Sequence, residues 1–355
     1  MVRAHWIGLD VHCSSTDMCV VNSSGERVRR DRCATTIVAL RAAVESVKRP
    51  RHVTFEEGPL ADWLYRHLKD CADEVVVCEP RRNALIAKDS DKDDAIDAEK
   101  LAQLLRGGFL KPVHHPESFE RVVFKQHVAL YHQRVRQRVR EANLILAYLR
   151  RFGIFVKECD LVDAEERPKL AQRLPDAATL RQDLKCLWKS YDAVCDQVHE
   201  LRERLVRQAR REEPIRRFEE LPGFGWIRAA TFYAFIDTPW RFGGKSALWR
   251  YCGIGLERAH SGGGPVLLRV AQQANRRLRD VLLGAAKTAI HQKENPFADQ
   301  YERWLEAGIS PRNARRNVAR SLAATLWGMW KNGSAYRPEW VGRSLAGNDV
   351  QVSLR

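Results

Sequence analysis

The chain has 355 residues and 45% hydrophobic content, enough for two or three domains with their own cores. Its formal net charge is +15, and a protein this basic typically binds a polyanion such as a nucleic acid. The nine cysteines are scattered without metal-ligand spacing, which predicts reduced thiols. No apolar run approaches the ~20 residues of a membrane-spanning helix, so we expect a cytoplasmic protein without a membrane partner.

Strand and helix signals alternate over residues 1–80. Strands are predicted at 4–11, Met18–Asn22 and Arg27–Cys33, and the turn at Asn22–Gly25 makes them an antiparallel meander. A helix at Ile37–Val47, a strand at Val53–Glu56, a helix at Leu60–Leu68 and a strand at Val75–Cys78 follow. A meander followed by alternating helices and strands is the element order of the ribonuclease-H-like fold.

Four acidic residues are placed as a metal site would need them. Asp10 ends the first predicted strand and Glu56 ends the strand that begins at Val53, while Asp94 and Asp97 lie three residues apart on a predicted helix. Hard divalent cations prefer several oxygen ligands, and two such ions can stabilise the attacking and leaving oxygens of a phosphodiester. The pattern therefore predicts phosphoryl-transfer chemistry on a nucleic acid.

Helical periodicity places Asp94 and Asp97 on one stripe with Leu101 and Leu104, which we expect to pack onto the sheet. Carboxylates on a buried stripe are costly unless they are paired or bound to a metal. A second interpretation is that both acids favour the first helical turn through the helix dipole. His12 follows Asp10 closely, and we expect it on the opposite strand face.

Two long helices are predicted between residues 118 and 212. Apolar residues repeat at heptad spacing from Val128 to Leu149, and a stricter seam follows. That seam comprises Leu180, Leu184, Leu187, Tyr191, Val194, Val198, Leu201 and Leu205. About four heptads are enough to indicate a coiled coil, either within one chain or between two chains.

The region from Leu221 to Gly225 resembles the turn of a helix-hairpin-helix. Gly223 and Gly225 would allow backbone N–H groups at a helix start to contact a phosphate, with Arg228 close by. Ordinary turn chemistry explains the same residues nearly as well.

Ser261 opens the run Ser261–Gly264, which gives a nucleophile with little steric cover on an adaptable backbone. A plain flexible loop is the alternative, and the neighbouring His260 is a weak candidate for a base.

Arginines follow on and near an amphipathic helix. The predicted nucleic-acid-binding residues are Gly223, Gly225, Arg228, Lys245, Gly262, Arg269, Arg276, Arg277 and Arg279.

Several segments together carry a family resemblance. The N-terminal ones are GLDVH, TFEEG and KDDAIDAEKLAQLL, and the C-terminal ones are LPGFGWIRAATFYAFI, RFGGKSALWRYCGIGL, SGGG and ANRRLRDVLLGAA. In this order, over about 4–108 and 218–290, they resemble the DEDD transposases of bacterial insertion sequences. That group includes the Piv-type DNA invertases, and its better-known members are guided by a bridge RNA.

The resemblance implies a RuvC-like Mg²⁺ site formed by Asp10, Glu56, Asp94 and Asp97, with Mn²⁺ as an alternative ion. It also implies that Ser261 attacks DNA and forms a phosphoserine link. The family acts as an oligomer, a dimer or a synaptic tetramer, in which the acidic domain of one subunit meets the serine domain of another. Glu57 is an alternative ligand because Glu57-Gly58-Pro59 departs from the family pattern, as does Cys13 where a basic residue is common.

The expected fold class is α/β plus all-α. A RuvC-like catalytic domain is predicted over 1–110, a helical coiled-coil insertion over 118–215, a mainly helical serine-bearing domain over 218–335 and a loosely ordered tail over 336–355. The predicted function is a DNA recombinase or transposase, with DNA and a guide RNA as the expected partners. The alternatives are a metal-only nuclease of the junction-resolvase type, a site-specific invertase, and a non-catalytic coiled-coil protein that binds nucleic acid.

Overall fold

The computed structural model describes residues 4–80, 94–163, 165–259, 267–270, 274–292 and 294–341. For residues 94, 95, 257–259, 267–270 and 340 only the backbone is described. The chain divides into two compact units, Met1–Glu117 and Ser118–Arg355. Among the described residues, no helix has both the length and the apolar character needed to cross a lipid bilayer.

The first unit contains a mixed five-stranded sheet with the order β3-β2-β1-β4-β5. Its strands are β1 (His5–Val11), β2 (Ser15–Val21), β3 (Arg27–Ala34), β4 (Arg51–Glu56) and β5 (Glu74–Cys78). Its helices are α1 (Ile37–Glu45), α2 (Ala61–Leu68) and α3 (Asp94–Arg106). The first three strands pair antiparallel, whereas β4 pairs parallel with both β1 and β5. The predicted α/β order of this region is confirmed.

The two faces of this sheet are covered by different helices because side chains alternate along each strand. Ile7 and Leu9 are fully buried in a core with residues of α1 and α2. The opposite face carries Gly8, and α3 packs against β1 and β2 there. A Cβ atom on Gly8 would lie 2.1 Å from the carbonyl oxygen of Ala98, so only glycine permits this close approach of helix and strand.

The second unit begins with two antiparallel helices of 32 residues each, α4 (Phe119–Arg150) and α6 (Ala178–Ala209). Tyr148 near the end of α4 donates a hydrogen bond to the Leu180 carbonyl, while His127 near its start contacts Gln208 at 2.7 Å. Of the two pairings left open by the sequence, the structure shows the one within a single chain. The buried seam follows the predicted one, except that Trp188 is buried and that Leu180 and Leu187 are only partly so.

The other helices of this unit pack at the two ends of the hairpin. Helix α5 (Glu166–Gln172) lies at its tip, where Leu170 shares a core with Leu149 and Leu184. The helices at its base are α7 (Glu213–Glu219), α8 (Trp226–Ile236), α9 (Lys245–Tyr251), α10 (Arg276–Ala289), α11 (Pro296–Glu306) and α12 (Pro311–Asn332). Short 3₁₀ turns lie at Glu158–Leu161, Pro239–Arg241 and Pro338–Trp340, and β6 (Leu256–Ala259) pairs antiparallel with β7 (Leu267–Val270).

One apolar core joins the hairpin to the C-terminal helices. It includes Phe124 and Val128 of α4 and Leu205 of α6 together with residues of α7 to α12. The middle region predicted as an insertion over 118–215 therefore shares its core with the C-terminal region. The predicted tail begins with an ordered contact, since Tyr336 stacks on Phe297 at 6.3 Å between ring centroids. Residues 342–355 lie outside the described part.

Candidate functional site

Two of the four predicted acids end neighbouring parallel strands. Leu9 of β1 pairs with Phe55 of β4, and Asp10 and Glu56 are the next residues of these strands. Because side chains alternate along a strand, Asp10 and Glu56 lie on the same face of the sheet as Gly8. This is the face that α3 covers. Glu57 lies beyond the end of β4, and its N–H donates to the Cys78 carbonyl at 2.8 Å.

The other two acids belong to α3, which begins at Asp94. The side chain of Asp94 lies outside the described part, but Ala98, one turn later, packs directly on Gly8. Asp97 is 53% exposed and its carboxylate lies 3.8 Å from the Lys100 ammonium. Leu101 and Leu104 of the predicted stripe are buried as expected, but the burial expected for Asp97 is wrong. The closest approach of α3 to the sheet is made by Ala98 and Ala102.

Two further side chains join Asp10 that the sequence analysis misplaced or missed. His12 was expected on the opposite face, yet its Nε2 lies 3.1 Å from Oδ2 of Asp10. Period-two alternation already gives positions 10 and 12 the same side, although β1 itself ends at Val11. Asp17 of β2 lies directly opposite Asp10 in the antiparallel pair and is only 6% exposed. Its Oδ2 has no hydrogen bond to any residue that the structure describes, but Nε of Arg32 lies 3.6 Å away. The antiparallel pairing predicted for the first two strands was the signal that could have indicated Asp17.

The donor chemistry at this edge suits a hard divalent cation. Asp10, Glu56 and Asp17 supply carboxylate oxygens on one face of the sheet, and α3 crosses the same face. Like charges directly opposite each other on a sheet are unfavourable, so a bound cation would relieve the pairing of Asp10 with Asp17. Among the described side chains, which do not include that of Asp94, no three potential ligands lie close enough to hold an ion. The residues thus fit the ion by chemistry and strand position.

The helix-hairpin-helix-like turn joins α7 to α8, and its glycine serves packing. Gly223 has a φ of +79°, and a Cβ there would lie 2.2 Å from the carbonyl oxygen of Ala285 in α10. Its N–H already donates to Oε1 of Gln292 at 2.9 Å, so the predicted phosphate contact of Gly223 is wrong. Arg228 donates to the Gly223 carbonyl and to Oγ1 of Thr288 in α10, and these hydrogen bonds link the turn to α10. Gly225 is the N-cap residue of α8.

The predicted nucleophile lies in sequence between two paired strands. Residues 260–266 separate β6 from β7 in the sequence, so Ser261, Gly262 and His260 lie outside the described residues. Arg269 pairs with Glu257 in the backbone register of this hairpin, and its side chain is likewise outside the description. The structure therefore shows the strands that flank the serine loop.

Arginines gather at the start of α10. Asn275 caps this helix by accepting from the backbone N–H groups of Arg277 and Leu278. Arg276 is exposed, Arg279 lies 3.5 Å from the carboxylate of Asp280, and Lys245 begins the separate helix α9.

A second set of arginines reaches the same end of the helical unit from α12. Burial and the neighbouring Arg312 and Arg279 lower the pKa of Arg316. Arg320 donates to the Ile254 carbonyl at 2.8 Å, close to the strand that leads into the serine loop. The sequence showed that α12 is basic, but only the packing brings Arg316 close to Arg279.

A carboxylate edge on a mixed sheet, followed by a basic helical unit, is the combination expected of an enzyme that cleaves and joins nucleic acid. Comparison with known proteins makes the class specific. Residues 7–154 match a DEDD transposase model of the IS110 group, and residues 215–302 match the model described as transposase of the IS116/IS110/IS902 family.

Individual relatives agree with these family models. The transposase for insertion sequence element IS1111A of Coxiella burnetii is 22% identical over 93% of this chain and 91% of its own length. A putative transposase of Sinorhizobium fredii, y4pF/y4sB, is 29% identical over 69% of this chain and 64% of its own. The transposase for IS1328 of Yersinia enterocolitica is 22% identical over 81% and 86%.

The chain is a transposase, an enzyme that cleaves DNA and transfers its strands. It belongs to the IS110 family of insertion-sequence transposases. The non-catalytic alternative raised by the sequence is therefore wrong.

Proposed function

We propose that this transposase recombines the DNA of an insertion element through a covalent bond between Ser261 and DNA, with Mg²⁺ held at the RuvC-like acidic edge. The observation that carries the proposal is the common face of Asp10 and Glu56 at the ends of adjacent parallel strands, with α3 across that face. Separate segments thus deliver acids to one edge. A bound divalent ion would supply charge stabilisation for the phosphate under attack.

The residues of the chain have separate roles in this reaction. Asp10, Glu56, Asp94 and Asp97 hold the ion, and Glu56 is favoured over Glu57 because it continues the alternation of β4. The nearby His12 orients the Asp10 carboxylate through their 3.1 Å contact. A hydrogen-bonded carboxylate has fewer accessible rotamers, which preserves its position when the ion dissociates.

The serine step is an exchange of one ester bond for another. Oγ of Ser261 loses its proton and bonds to phosphorus, and the bond from phosphorus to one sugar oxygen breaks. That oxygen takes up a proton and leaves as a hydroxyl. Attack by a sugar hydroxyl of a second strand reverses these changes, joins the strands and restores the serine.

Guide RNA and oligomerisation complete the proposal. The net charge of +15 supports binding to more than one nucleic-acid strand. Assembly of two or four chains would supply the serine of one subunit to the acidic edge of another, as the family resemblance implies.

The test is to trap the covalent intermediate with a nicked element-end DNA, using protein that retains its co-purified RNA. Ser261→Ala should abolish the protein–DNA adduct while DNA binding is unchanged, since no charge is lost. Ser246→Ala, an exposed serine of α9, is the matched control and should form the adduct normally. Asp10→Asn should reduce the adduct and weaken Mn²⁺ binding in calorimetry by about tenfold or more, whereas Asp176→Asn, 97% exposed, should change neither.

Strand cleavage by the Ser261→Ala variant without an adduct would reject the serine mechanism and favour the metal-only nuclease. Unchanged Mn²⁺ binding by Asp10→Asn would reject the acidic edge as the metal site.

A further inference from the structure

A surface pocket of about 530 Å³ lies between α4, α8 and α10 of the helical unit. One wall is a face of α4 with residues on successive turns, Lys125, Gln126, Ala129, Leu130 and Gln133. Phe235 of α8 and Arg277 of α10 complete the lining. The α4 wall is about 12 Å long at 1.5 Å per residue, which is sufficient for one nucleotide with its flanking phosphates.

Cations line or border this pocket without an anionic partner. Lys125, Arg277 and the adjacent Arg136 form no ion pair with any carboxylate of the described residues. The guanidinium of Arg277 lies over the Phe235 ring at 5.2 Å, and its buried Nε has no hydrogen-bond partner within the described parts of the chain. Burial and the nearby Arg136 lower the pKa of Arg277. An anion in the pocket would relieve this repulsion and accept the unused donor.

The neighbouring histidine adds no positive charge at neutral pH. His132 contacts Oγ1 of the buried Thr231 at 2.8 Å, and burial with Arg277 and Arg136 lowers its pKa to about 4. The carboxylate of Asp280 acts to raise the pKa of His132, but this effect is smaller than those of burial and the two arginines. That carboxylate lies 3.5 Å from Arg279. The positive charge at the pocket therefore comes from lysine and arginine side chains and not from His132.

The rest of the lining suits a flat, partly apolar group. Leu130 is 40% exposed, and Ala129 lies beside it on α4. The side-chain amides of Gln126 and Gln133 have no hydrogen-bond partner among the described residues, so they are available to the donor and acceptor edge of a base. Proteins that bind single-stranded nucleic acid combine a basic groove with side-chain surfaces that contact the bases, usually aromatic ones. Here Leu130 provides the apolar surface, and the free amides can bond the edge of the base.

We propose that this pocket binds one unstacked nucleotide of a nucleic-acid strand, with its phosphate on Arg277 and Lys125 and its base on Leu130 between Gln126 and Gln133. The proposal rests on the proposed function only in that the protein handles nucleic-acid strands. The shared ligand chemistry is a phosphodiester with an exposed base, supplied by DNA or by RNA.

The test measures binding of labelled octanucleotides to full-length, RNA-free protein by fluorescence anisotropy, in EDTA so that no strand is cleaved. The probes are oligothymidylate, oligouridylate and an abasic octamer that keeps the phosphates. Arg277→Met should raise the Kd of every probe that binds by about tenfold, as expected for loss of a charged hydrogen-bond donor. Arg150→Met removes one exposed arginine elsewhere on α4 and should change Kd by less than about twofold.

Leu130→Ala separates the base from the phosphate, because it removes no charge and Leu130 is not a core residue. We expect it to raise Kd about fivefold for the probe with bases, since it removes most of the apolar surface that Leu130 offers to the base, and to leave the abasic octamer unchanged. The tighter of the thymidylate and uridylate probes identifies the strand. Equal effects of Arg277→Met and Arg150→Met would overturn the site, and equal effects of Leu130→Ala on all probes would overturn the base contact.

Failure here is distinguishable from failure of the proposed function. These affinities are measured without metal and without the serine reaction, whereas the adduct experiment reports Ser261 chemistry.

Discussion

The two units of the molecule differ in how they use positively charged side chains. In the sheet unit, Glu99 of α3 accepts from Arg27 of β3 at 2.7 Å, and Arg32 lies 3.6 Å from the buried Asp17. Arg51 is 7% exposed and donates to the carbonyls of Cys71, Glu45 and Val47. These cations join the elements of the fold to one another.

In the helical unit, some cations are equally internal and others are held without a partner. Arg121 contacts Asp237 at 3.1 Å and lies over the Tyr233 ring, so it stabilises the junction of α4 and α8. Burial and the nearby Arg136 instead lower the pKa of Arg277. The difference teaches that a cation paired inside the fold serves stability, whereas an unpaired cation kept in place by packing is available for an external anion.

The largest expected effect concerns the buried cation of the sheet unit. Arg51→Met should lower the free energy of unfolding by about 3 kcal/mol, because three buried carbonyls lose their donor. The control is Arg49→Met, which removes a half-exposed partner of Asp73 and should cost less than about 1 kcal/mol. Urea unfolding followed by circular dichroism measures both. Equal losses in the two variants would remove the distinction between internal and surface cations.

The next effect depends on pH. Burial and two arginines depress the pKa of His132 from 6.5 to about 4, so the stability from its neutral form is complete above pH 6.5 and is lost as the pH falls toward 4. Relative to pH 7, the loss at about pH 5 is up to about 2 kcal/mol. His132→Gln keeps a donor for Thr231 and should abolish this part of the pH dependence. Urea unfolding at both pH values checks it, and parallel pH curves for the two proteins would contradict it.

The smallest effect has the most direct bearing on the comparison. Arg277→Met should change the free energy of unfolding by less than about 0.5 kcal/mol, because lost ring contact and relieved repulsion from Arg136 offset one another. We expect the urea titration in high salt to give the same small difference in the free energy of unfolding, or one slightly less favourable to Arg277→Met. Salt screens the repulsion from Arg136, so the variant gains less from its removal. A loss as large as that of Arg51→Met would show that Arg277 is a structural cation.

The strands and helices of the first unit were predictable because residues that face the core are apolar and recur with the period of the strand or helix. Alternation in β1 and β4 locates their ends at Val11 and Glu56, and the helical spacing of α1 and α2 is equally regular. The family was predictable for a related reason, since the segments that resemble it, from GLDVH to ANRRLRDVLLGAA, can be read in their order directly from the sequence. The long helices α4 and α6 also followed from their heptads, but not the choice of partner.

The errors in the predicted site have a common cause. Asp97 was placed on a buried stripe by periodicity, whereas the stripe that packs is fixed by contact of Ala98 with Gly8. Gly223 was assigned to phosphate binding by its turn motif, whereas Gln292 from beyond α10 takes its N–H. Both contacts come from elements distant in sequence, so local pattern could not reveal them.

The sequence by itself determined the order of elements, the basic character of the chain, its family and the acidic residues at the strand ends. These properties depend on composition and on short-range periodicity, which each segment carries alone. Only the tertiary structure decided that Asp17 lies opposite Asp10, that α4 and α6 pair within one chain, and that Arg277 meets Lys125 and Phe235 round one pocket. The physical reason is that strand register, helix packing and the pairing of charges depend on which distant side chains share a surface.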